Sequence, residues 1–331
     1  MFRSVAIQLT DATSVGEARR AGQRLGSELG FSEIKNGELG LIVTEAARNA
    51  VSHAGSGELV ISTFRCQDAL CADVLALDQG QGISDLGRAF QDGYSTLGTP
   101  GEGLGAIRRM GSQMDVFSGK SGTALFARVM EGDPAAEGAL EIGGIAAPYP
   151  GETVCGDAMA WEQKRGRTVI VMADGLGHGP LAAEAAAEAV ASFRRHASEQ
   201  PGEMVARMHD ALKKTRGAAA SVAEIRPLAG TLTYAGVGNI AATVLSSVFS
   251  RSLVSHGGTL GHTAARIQEF KMEWPRGAAL IMHSDGLKTR WDLSAYPGLL
   301  ARKPALIAGV LFRDFKRGRD DASVVVVKST T

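Results

Sequence analysis

Residues 168–179 read TVIVMADGLGHG, an apolar run that ends on an aspartate and enters a turn containing three glycines. The apolar run predicts a buried strand. The glycines predict a backbone that turns sharply and can approach a ligand closely. Asp174 therefore stands at the end of a strand, where its carboxylate is held rigidly.

Three further acidic sites occupy comparable positions. They are Gly156-Asp157 after a short apolar entry, Ser284-Asp285-Gly286 after ALIMH, and Arg319-Asp320-Asp321 before SVVVVK. Carboxylate oxygens are the ligands that Mg²⁺ and Mn²⁺ prefer, and no Cys and His cluster in the sequence competes for zinc. Together the sites predict an acidic centre for two metal ions. Any single Asp-Gly pair is more often a hairpin turn.

In this order the acidic sites resemble the PPM family of metal-dependent serine/threonine phosphatases. The DGLGHG turn and the run Gly236-Val237-Gly238-Asn239 resemble its bacterial SpoIIE branch, which includes the small stressosome phosphatase. The resemblance covers residues 140–328 and implies a β-sandwich flanked by helices.

The same resemblance implies roles for individual residues. Asp174 would bridge the two metals with the Gly175 carbonyl as a further ligand, Asp157 would serve one metal, and Asp285 and Asp320 would serve the other. A metal-activated water would then attack phosphoserine or phosphothreonine without a covalent intermediate.

Several neighbours of this centre have open roles. Cys155, beside Asp157, is an alternative nucleophile, but the sequence shows no cation that would activate its thiol. His178 could donate a proton to the leaving oxygen or orient a carboxylate. Asn239, Ser284 and Asp321 are neighbours without an assigned role.

The N-terminal part carries a carboxylate and an amide on one predicted helix face. Residues 32–54 predict a helix that Ser32 caps and Gly55 ends. Glu45 and Asn49 are four residues apart, so both side chains point the same way. The pair suits a Mg²⁺-nucleotide site, although the same spacing is common on solvated helix faces.

Two glycine-rich loops follow this helix. Asp78-x-Gly80-x-Gly82 comes directly after an apolar strand, and the aspartate there can accept a hydrogen bond from an exocyclic amine such as that of adenine. Residues 98–105, GTPGEGLG, precede a helix whose N-terminus can bind phosphate. Taken singly, each loop is more often only a turn.

In this order the three elements resemble the GHKL ATPase family, which has the Bergerat ATP-binding α/β sandwich. Residues 44–54 resemble its N box, 78–82 its G1 box and 101–105 its G2 box. The resemblance implies an ATP–Mg²⁺ site with one role for each motif residue. Glu45 would activate an acceptor hydroxyl, Asn49 would hold Mg²⁺, Asp78 would contact adenine within the loop of Gly80 and Gly82, and Gly101, Gly103 and Gly105 would lie over the phosphates.

Within that family, Glu-x-x-Arg-Asn and residues 91–96 look most like the anti-sigma and stressosome switch kinases. Those kinases phosphorylate serine or threonine on STAS-domain proteins. Thr99-Pro100 and Glu102 depart from the usual glycines and small apolar residues. A carboxylate near phosphate is electrostatically unfavourable, so the departure predicts modest ATP affinity unless Glu102 points outward.

Composition sets the remaining limits. The chain has 331 residues, of which 44% are hydrophobic, enough for two globular domains and too apolar for a disordered chain. Lys+Arg and Asp+Glu both count 35, so the formal net charge is zero. This charge does not favour nucleic acid or a membrane surface as a partner. The three cysteines form no disulfide framework, and no run predicts a signal peptide or a membrane span. We expect a cytoplasmic protein.

These observations predict a GHKL domain over residues 1–131, a linker over 132–138, and a phosphatase domain over 139–331. The leading hypothesis is a signalling enzyme with kinase-like and phosphatase halves. Its partner would be a STAS-domain or anti-sigma-antagonist phosphoprotein, with a sigma factor or downstream regulator as a further partner. The alternative is a phosphatase whose N-terminal half only binds, as an anti-sigma factor or nucleotide sensor.

Overall fold

A computed structural model describes residues 2–83, 85–90, 103–133, 140–164, 166–246, 249–264 and 267–329. The chain divides into two units. Unit 1 joins Met1–Pro134 to Pro297–Arg313, and unit 2 joins Ala135–Tyr296 to Asp314–Thr331. Most of the predicted linker, residues 134–138, lies outside the described residues. No helix in the described ranges has the length and apolar character needed to cross a membrane.

Unit 1 contains a five-stranded antiparallel sheet in the order β1-β2-β3-β5-β4. Its strands are β1 (Arg3–Leu9), β2 (Gly57–Cys66), β3 (Ala69–Leu77), β4 (Gln113–Gly119) and β5 (Gly122–Glu131). Its N-terminal helices are α1 (Ala12–Leu29), α2 (Glu33–Ala54), α3 (Leu86–Ala89) and α4 (Gly103–Met110). Helices α1, α2 and α4 bury their apolar residues against one face of the sheet.

Local sequence fixes the ends of α2. The Ser32 side chain accepts a hydrogen bond from the Lys35 backbone N–H, and Gly55 takes a left-handed conformation at φ 77°. These are the N-cap and C-terminal glycine that the sequence predicts. The caps fix where Glu45 and Asn49 fall on the helix, because the register of the helix starts at Ser32.

Unit 2 contains two five-stranded sheets, β15-β10-β9-β8-β7 and β12-β11-β16-β17-β6, and a small β13-β14 pair. The strands are β6 (Leu140–Ala147), β7 (Asp157–Lys164), β8 (Arg167–Gly175), β9 (Ala218–Arg226), β10 (Thr231–Val237), β11 (Ala241–Leu245), β12 (Ser250–Leu253), β13 (Gly258–Thr259), β14 (Thr263–Ala264), β15 (Phe270–Glu273), β16 (Ala279–His283) and β17 (Ala322–Ser329).

The sheet that contains β7 and β8 separates two apolar layers of unit 2. Val169, Val171 and Ala173 pack against alanines of α5 (Pro180–His196) and side chains of α6 (Pro201–Ala211). On the other side of the first sheet, the Met159 sulfur lies against Gly144 of the second sheet, where a Cβ would be 2.7 Å from it. Small alanines on α5 let the helix lie close to the strands.

Most of one helix from the C-terminal half, up to Arg313, belongs to unit 1. Helix α7 (Pro304–Phe315) is buried from Pro304 through Arg313. Gly309 faces β3, where a Cβ would lie 3.1 Å from both Leu75 and Leu77. Side chains alternate along a strand, so α7 covers the β3 face opposite to that of Val74 and Ala76, which pack with α2.

Candidate metal centre and nucleotide site

Strand pairing brings the predicted metal carboxylates together at the ends of their strands. Asp157 and Asp174 face each other in the β7–β8 register. Asp285 follows β16 and Asp320 precedes β17, which are also paired, with His283 opposite Val324. All four predicted ligands interact electrostatically in one acidic cluster.

Two carboxylates of this cluster have buried oxygens without a hydrogen-bond partner. Asp157 is only 5% exposed. Among the described residues, neither of its carboxylate oxygens nor Oδ2 of Asp321 accepts a hydrogen bond of ordinary geometry. The Ser284 and Ser323 hydroxyls lie close enough to Asp157 to favour its ionised form. Buried polar atoms are nearly always satisfied, so these oxygens fit a cation.

Burial also makes negative charge unfavourable in the cluster. Desolvation, with the charges of Asp321 and Asp320, raises the pKa of Asp157 to about 7. Desolvation and the neighbouring carboxylates raise the pKa of Asp174 to about 9. Desolvation likewise raises the pKa of Asp320. A bound divalent cation offsets these costs, and oxygen donors suit Mg²⁺ or Mn²⁺.

The carboxylates of this cluster do not form a complete coordination site for a metal ion. Within the described ranges, no three Asp, Glu, His or Cys side chains surround a single point closely enough to enclose an ion. The backbone of the cluster is nevertheless tightly fixed. A Cβ at Gly175 would lie 2.0 Å from the Ala182 carbonyl oxygen, and one at Gly286 would lie 1.9 Å from that of Asp321. Only glycine allows these approaches.

Neighbouring residues hold the carboxylates and His178 in place. Asn239 Nδ2 donates a hydrogen bond of 2.7 Å to Asp285 Oδ2. The Tyr149 backbone N–H donates one of 2.8 Å to Asp321 Oδ1. His178 Nδ1 lies 2.8 Å from Glu152 Oε1.

The ring of His178 stacks on that of Tyr149, with 4.7 Å between centroids. The carboxylate that orients His178 is therefore Glu152, which sequence reasoning did not single out. Tyr149 and Glu152 sit in PYPGE, just before Gly156-Asp157, but no local signal relates them to a histidine 26 residues later.

Cys155 has the wrong electrostatics for a nucleophile. Burial raises the pKa of its thiol, and the nearby Asp157 and Asp321 charges raise it further. A nucleophilic cysteine needs surroundings that lower its pKa. The alternative of a catalytic cysteine is therefore disfavoured.

In unit 1, Glu45 and Asn49 of α2 lie next to Gly103, the first residue of α4. A Cβ at Gly103 would lie 3.2 Å from Asn49 Oδ1 and 3.4 Å from Glu45 Oε2. Among the described residues, Asn49 Nδ2 is buried and has no hydrogen-bond partner. Glu45 Oε1 accepts a hydrogen bond of 3.1 Å from Arg48. The unsatisfied amide fits a polar ligand at the N-terminus of α4.

The Asp78 loop is held by its own carboxylate. Asp78 Oδ1 accepts hydrogen bonds from the backbone N–H of Gly80 at 2.8 Å and of Thr123 at 3.0 Å. Gly80 packs on Ala54, and Gly82, at φ 74°, packs on the Gly119 carbonyl. These two glycines thus serve the packing of the loop.

The second predicted glycine loop lies partly outside the described residues. Gly103 and Gly105 begin α4, and Gly105 is buried. Gly101, Thr99-Pro100, Glu102 and the run 91–96 lie outside the described residues.

Family models match both halves of the chain. The model described as Stage II sporulation protein E (SpoIIE) matches residues 164–330. The model described as Histidine kinase-like ATPase domain matches residues 9–129. These matches confirm both predicted resemblances.

Two curated proteins of Bacillus subtilis (strain 168) are similar to parts of the chain. Serine/threonine-protein kinase RsbT is 35% identical over 101 residues, which are 30% of this chain and 74% of that protein. Phosphoserine phosphatase RsbX is 31% identical over 140 residues, which are 41% of this chain and 69% of that protein.

Solved structures agree with the predicted fold class. One, described as "The bacterial stressosome: a modular system that has been adapted to control secondary messenger signaling", is 29% identical with a TM-score of 0.54. It covers 57% of this chain and 98% of its own. A magnesium complex of RsbX is 22% identical with a TM-score of 0.51, and it covers 65% of this chain and 99% of its own. At this identity the likeness supports only a shared fold. The two-domain α/β fold is confirmed.

Proposed function

Because the chain belongs to the SpoIIE family of PPM-type phosphatases, we propose that unit 2 hydrolyses phosphoserine or phosphothreonine on a signalling protein. The observation that carries the proposal is the buried Asp157 carboxylate, which accepts no hydrogen bond of ordinary geometry from the described residues and faces Asp174 across paired strands. Carboxylate oxygens are the donors that Mg²⁺ and Mn²⁺ prefer, so this pair supports a divalent metal centre.

Each carboxylate of the cluster has a proposed place. Asp174 and the Gly175 carbonyl would serve both metals, Asp157 would serve one, and Asp285 and Asp320 would serve the other. Asn239 fixes the Asp285 carboxylate through its 2.7 Å hydrogen bond. When bound, Mn²⁺ or Mg²⁺ supplies an activated water and stabilises charge on the phosphoryl oxygens.

His178 is the proposed proton donor to the departing serine or threonine oxygen. Glu152 contacts Nδ1 and the Tyr149 ring stacks on the imidazole, and these two contacts orient the ring. The remaining ring nitrogen, Nε2, would carry the proton that is transferred. Alkoxide is a poor leaving group, so this proton assists the departure.

Unit 1 is proposed to bind ATP–Mg²⁺. Asn49 would hold Mg²⁺ through its Oδ1, while its Nδ2, unpartnered among the described residues, would donate a hydrogen bond to the ligand, and Asp78 would contact adenine. Gly101, Gly103 and Gly105 would lie over the phosphates, and Glu45 would activate an acceptor hydroxyl. The similarity to a serine/threonine kinase supports phosphoryl transfer. Under the alternative, unit 1 binds ATP without transferring phosphate.

The proposed substrates are STAS-domain or anti-sigma-antagonist proteins in a partner-switching pathway, with a sigma factor or downstream regulator as a further partner. One chain here is similar to both a kinase and a phosphatase of one organism. Joining two opposed activities keeps both sites near a shared partner, which raises its effective concentration.

Phosphate release from a phosphoserine peptide in Mn²⁺ tests the phosphatase. We compare the wild type with Asp157→Asn and with a control, Asp210→Asn, whose carboxylate forms an exposed ion pair with Lys213. Asp157→Asn should lose at least about 100-fold in turnover, and Asp210→Asn should lose none. Equal turnover in all three proteins would contradict the proposal.

A further inference from the structure

The chain between the proposed ligands Asp285 and Asp320 makes an excursion out of unit 2. It leaves after Tyr296, contributes Pro297–Arg313 to unit 1, and returns at Asp314. Two backbone hydrogen bonds join the start and the end of this excursion, and we call these joined residues its base. Arg317 N–H donates to the Gly286 carbonyl at 2.8 Å, and Lys288 N–H donates to that of Phe315 at 2.9 Å. The base therefore begins one residue after Asp285.

The part of the excursion in α7 packs against β3, the strand that leads into the Asp78 loop. Gly309 lies against Leu75 and Leu77, directly before Asp78. Arg313 Nη1 donates a hydrogen bond of 3.1 Å to the Asp78 carbonyl oxygen. Gly309 and Arg313 are four residues apart, so one face of α7 makes both contacts.

A second anchor lies at the beginning of the same segment. Asp115 of β4 accepts hydrogen bonds from Arg302 Nη1 at 3.2 Å and from the Lys303 backbone N–H at 2.9 Å. The helix between the anchors is buried from Pro304 to Arg313. A buried, close-packed helix moves as a rigid body because its neighbours leave it no room to bend.

We propose that the segment Pro297–Arg313 couples nucleotide binding at the Asp78 loop to the order of the metal carboxylates at its base, with Arg313 as the positioning residue. The coupling rests on the proposed function of unit 1. A nucleotide that orders the Asp78 loop stabilises the Arg313 contact and the packing of Gly309. The excursion then opens less often, and its base, next to Asp285 and three residues before Asp320, becomes more ordered.

The coupling is reciprocal. If nucleotide favours the ordered carboxylates, a metal held by Asp285 and Asp320 raises nucleotide affinity by the same factor. Coupling of this kind usually changes affinities by about 5- to 150-fold. The excursion thus gives one chain a way to make its phosphatase respond to nucleotide without a partner protein.

Amide hydrogen exchange with and without ADP, at equal free Mg²⁺, tests the coupling. The probes are the Lys288 and Arg317 amides, whose hydrogen bonds close the base. ADP should slow their exchange by about 5-fold or more in the wild type. In Arg313→Met the slowing should disappear at saturating ADP. In the matched control Arg302→Met it should persist, because the Lys303 N–H still bonds to Asp115.

The outcomes separate the coupling from the nucleotide site. ADP binding seen by calorimetry, with unchanged exchange at Lys288 and Arg317 in the wild type, would overturn the coupling and leave the nucleotide site standing. Absence of ADP binding would overturn both. The wild-type comparison decides even where Arg313→Met fails to fold, and Arg313→Lys, which keeps a donor, should retain part of the response.

Discussion

Asp157 and Asp174 stand directly opposite each other on paired antiparallel strands, and the buried Asp157 carboxylate accepts no hydrogen bond of ordinary geometry from the described residues. Like charges in this position destabilise a sheet. The pairing therefore costs stability unless a proton or a cation lies between the two carboxylates. Carboxylates with strongly perturbed pKa values cluster at functional sites, so the pair supports a cation-binding role.

The metal-free protein should lose stability as the pH rises. The pKa values of Asp157 and Asp174 are raised in the folded state to about 7 and about 9. A raised carboxyl pKa means that the folded state holds its proton more tightly than the unfolded chain does. The stabilisation is complete below pH 4 and is lost as the pH rises through 7 to 9.

Calorimetry in EDTA between pH 6 and pH 9 measures this loss. The unfolding temperature of unit 2 should fall by several degrees, and Asp174→Asn should unfold at a higher temperature than the wild type at pH 9. The control Asp210→Asn should follow the wild type. Identical pH profiles for Asp174→Asn and the wild type would contradict the electrostatic account.

Binding of Mn²⁺ at pH 7 should release protons, because burial and the neighbouring carboxylates raise the pKa of Asp157 and Asp174 and so favour protonation of the pair in the metal-free protein. Titration calorimetry in buffers of different ionisation enthalpy counts the protons, and we expect about one to two per chain. Release should decrease in Asp174→Asn. A binding enthalpy independent of the buffer would refute the prediction.

Asn239→Ala should weaken Mn²⁺ binding by about 10- to 100-fold, because Asp285 loses the amide that orients it. Gln163→Ala removes a side-chain hydrogen bond to the Leu140 carbonyl, at the end of the β-strand away from the cluster, and is the matched control. Electron paramagnetic resonance of free Mn²⁺ gives both affinities. If the two variants bind alike, Asn239 has no positioning role.

Glu45→Ala separates the two hypotheses for unit 1. A kinase should lose about 10²- to 10⁴-fold in phosphoryl transfer to a STAS-domain acceptor, while its ATP affinity stays near that of the wild type. Asp78→Asn should instead weaken ATP binding, because it removes the carboxylate charge. Transfer that survives Glu45→Ala would exclude Glu45 as the base, and absence of transfer in the wild type would leave the binding module.

Strong local signals made part of the fold predictable. The Ser32 and Gly55 caps set the ends of α2, and the apolar run before DGLGHG set β8, so the placements of Glu45, Asn49 and Asp174 followed from sequence. Strand β9 was not predicted because it carries the charged Glu224. That carboxylate is buried and paired with Arg167 Nε at 2.6 Å, a tertiary contact that leaves no local pattern.

The remaining features depend on contacts between distant residues. Helix α7 is apolar on all sides, so it lacks the polar stripe that identifies an amphipathic helix, and its place in unit 1 has no local signature. The contact between Glu152 and His178 likewise depends on the tertiary fold, because the two residues are 26 positions apart in the sequence. Sequence motifs therefore indicated polar residues that the fold brings close together, but not the distant residues that hold them in place.

The most direct test of the account counts Mn²⁺ ions per chain by calorimetry and measures phosphate release from a phosphoserine peptide in the same samples, for the wild type and Asp174→Asn. The wild type should bind about two ions, and its turnover should depend on them. Asp174→Asn should lose metal binding and at least about 100-fold in turnover while its circular dichroism stays unchanged. Wild-type turnover in Asp174→Asn, or turnover of the wild type in EDTA, would contradict the metal-centre account.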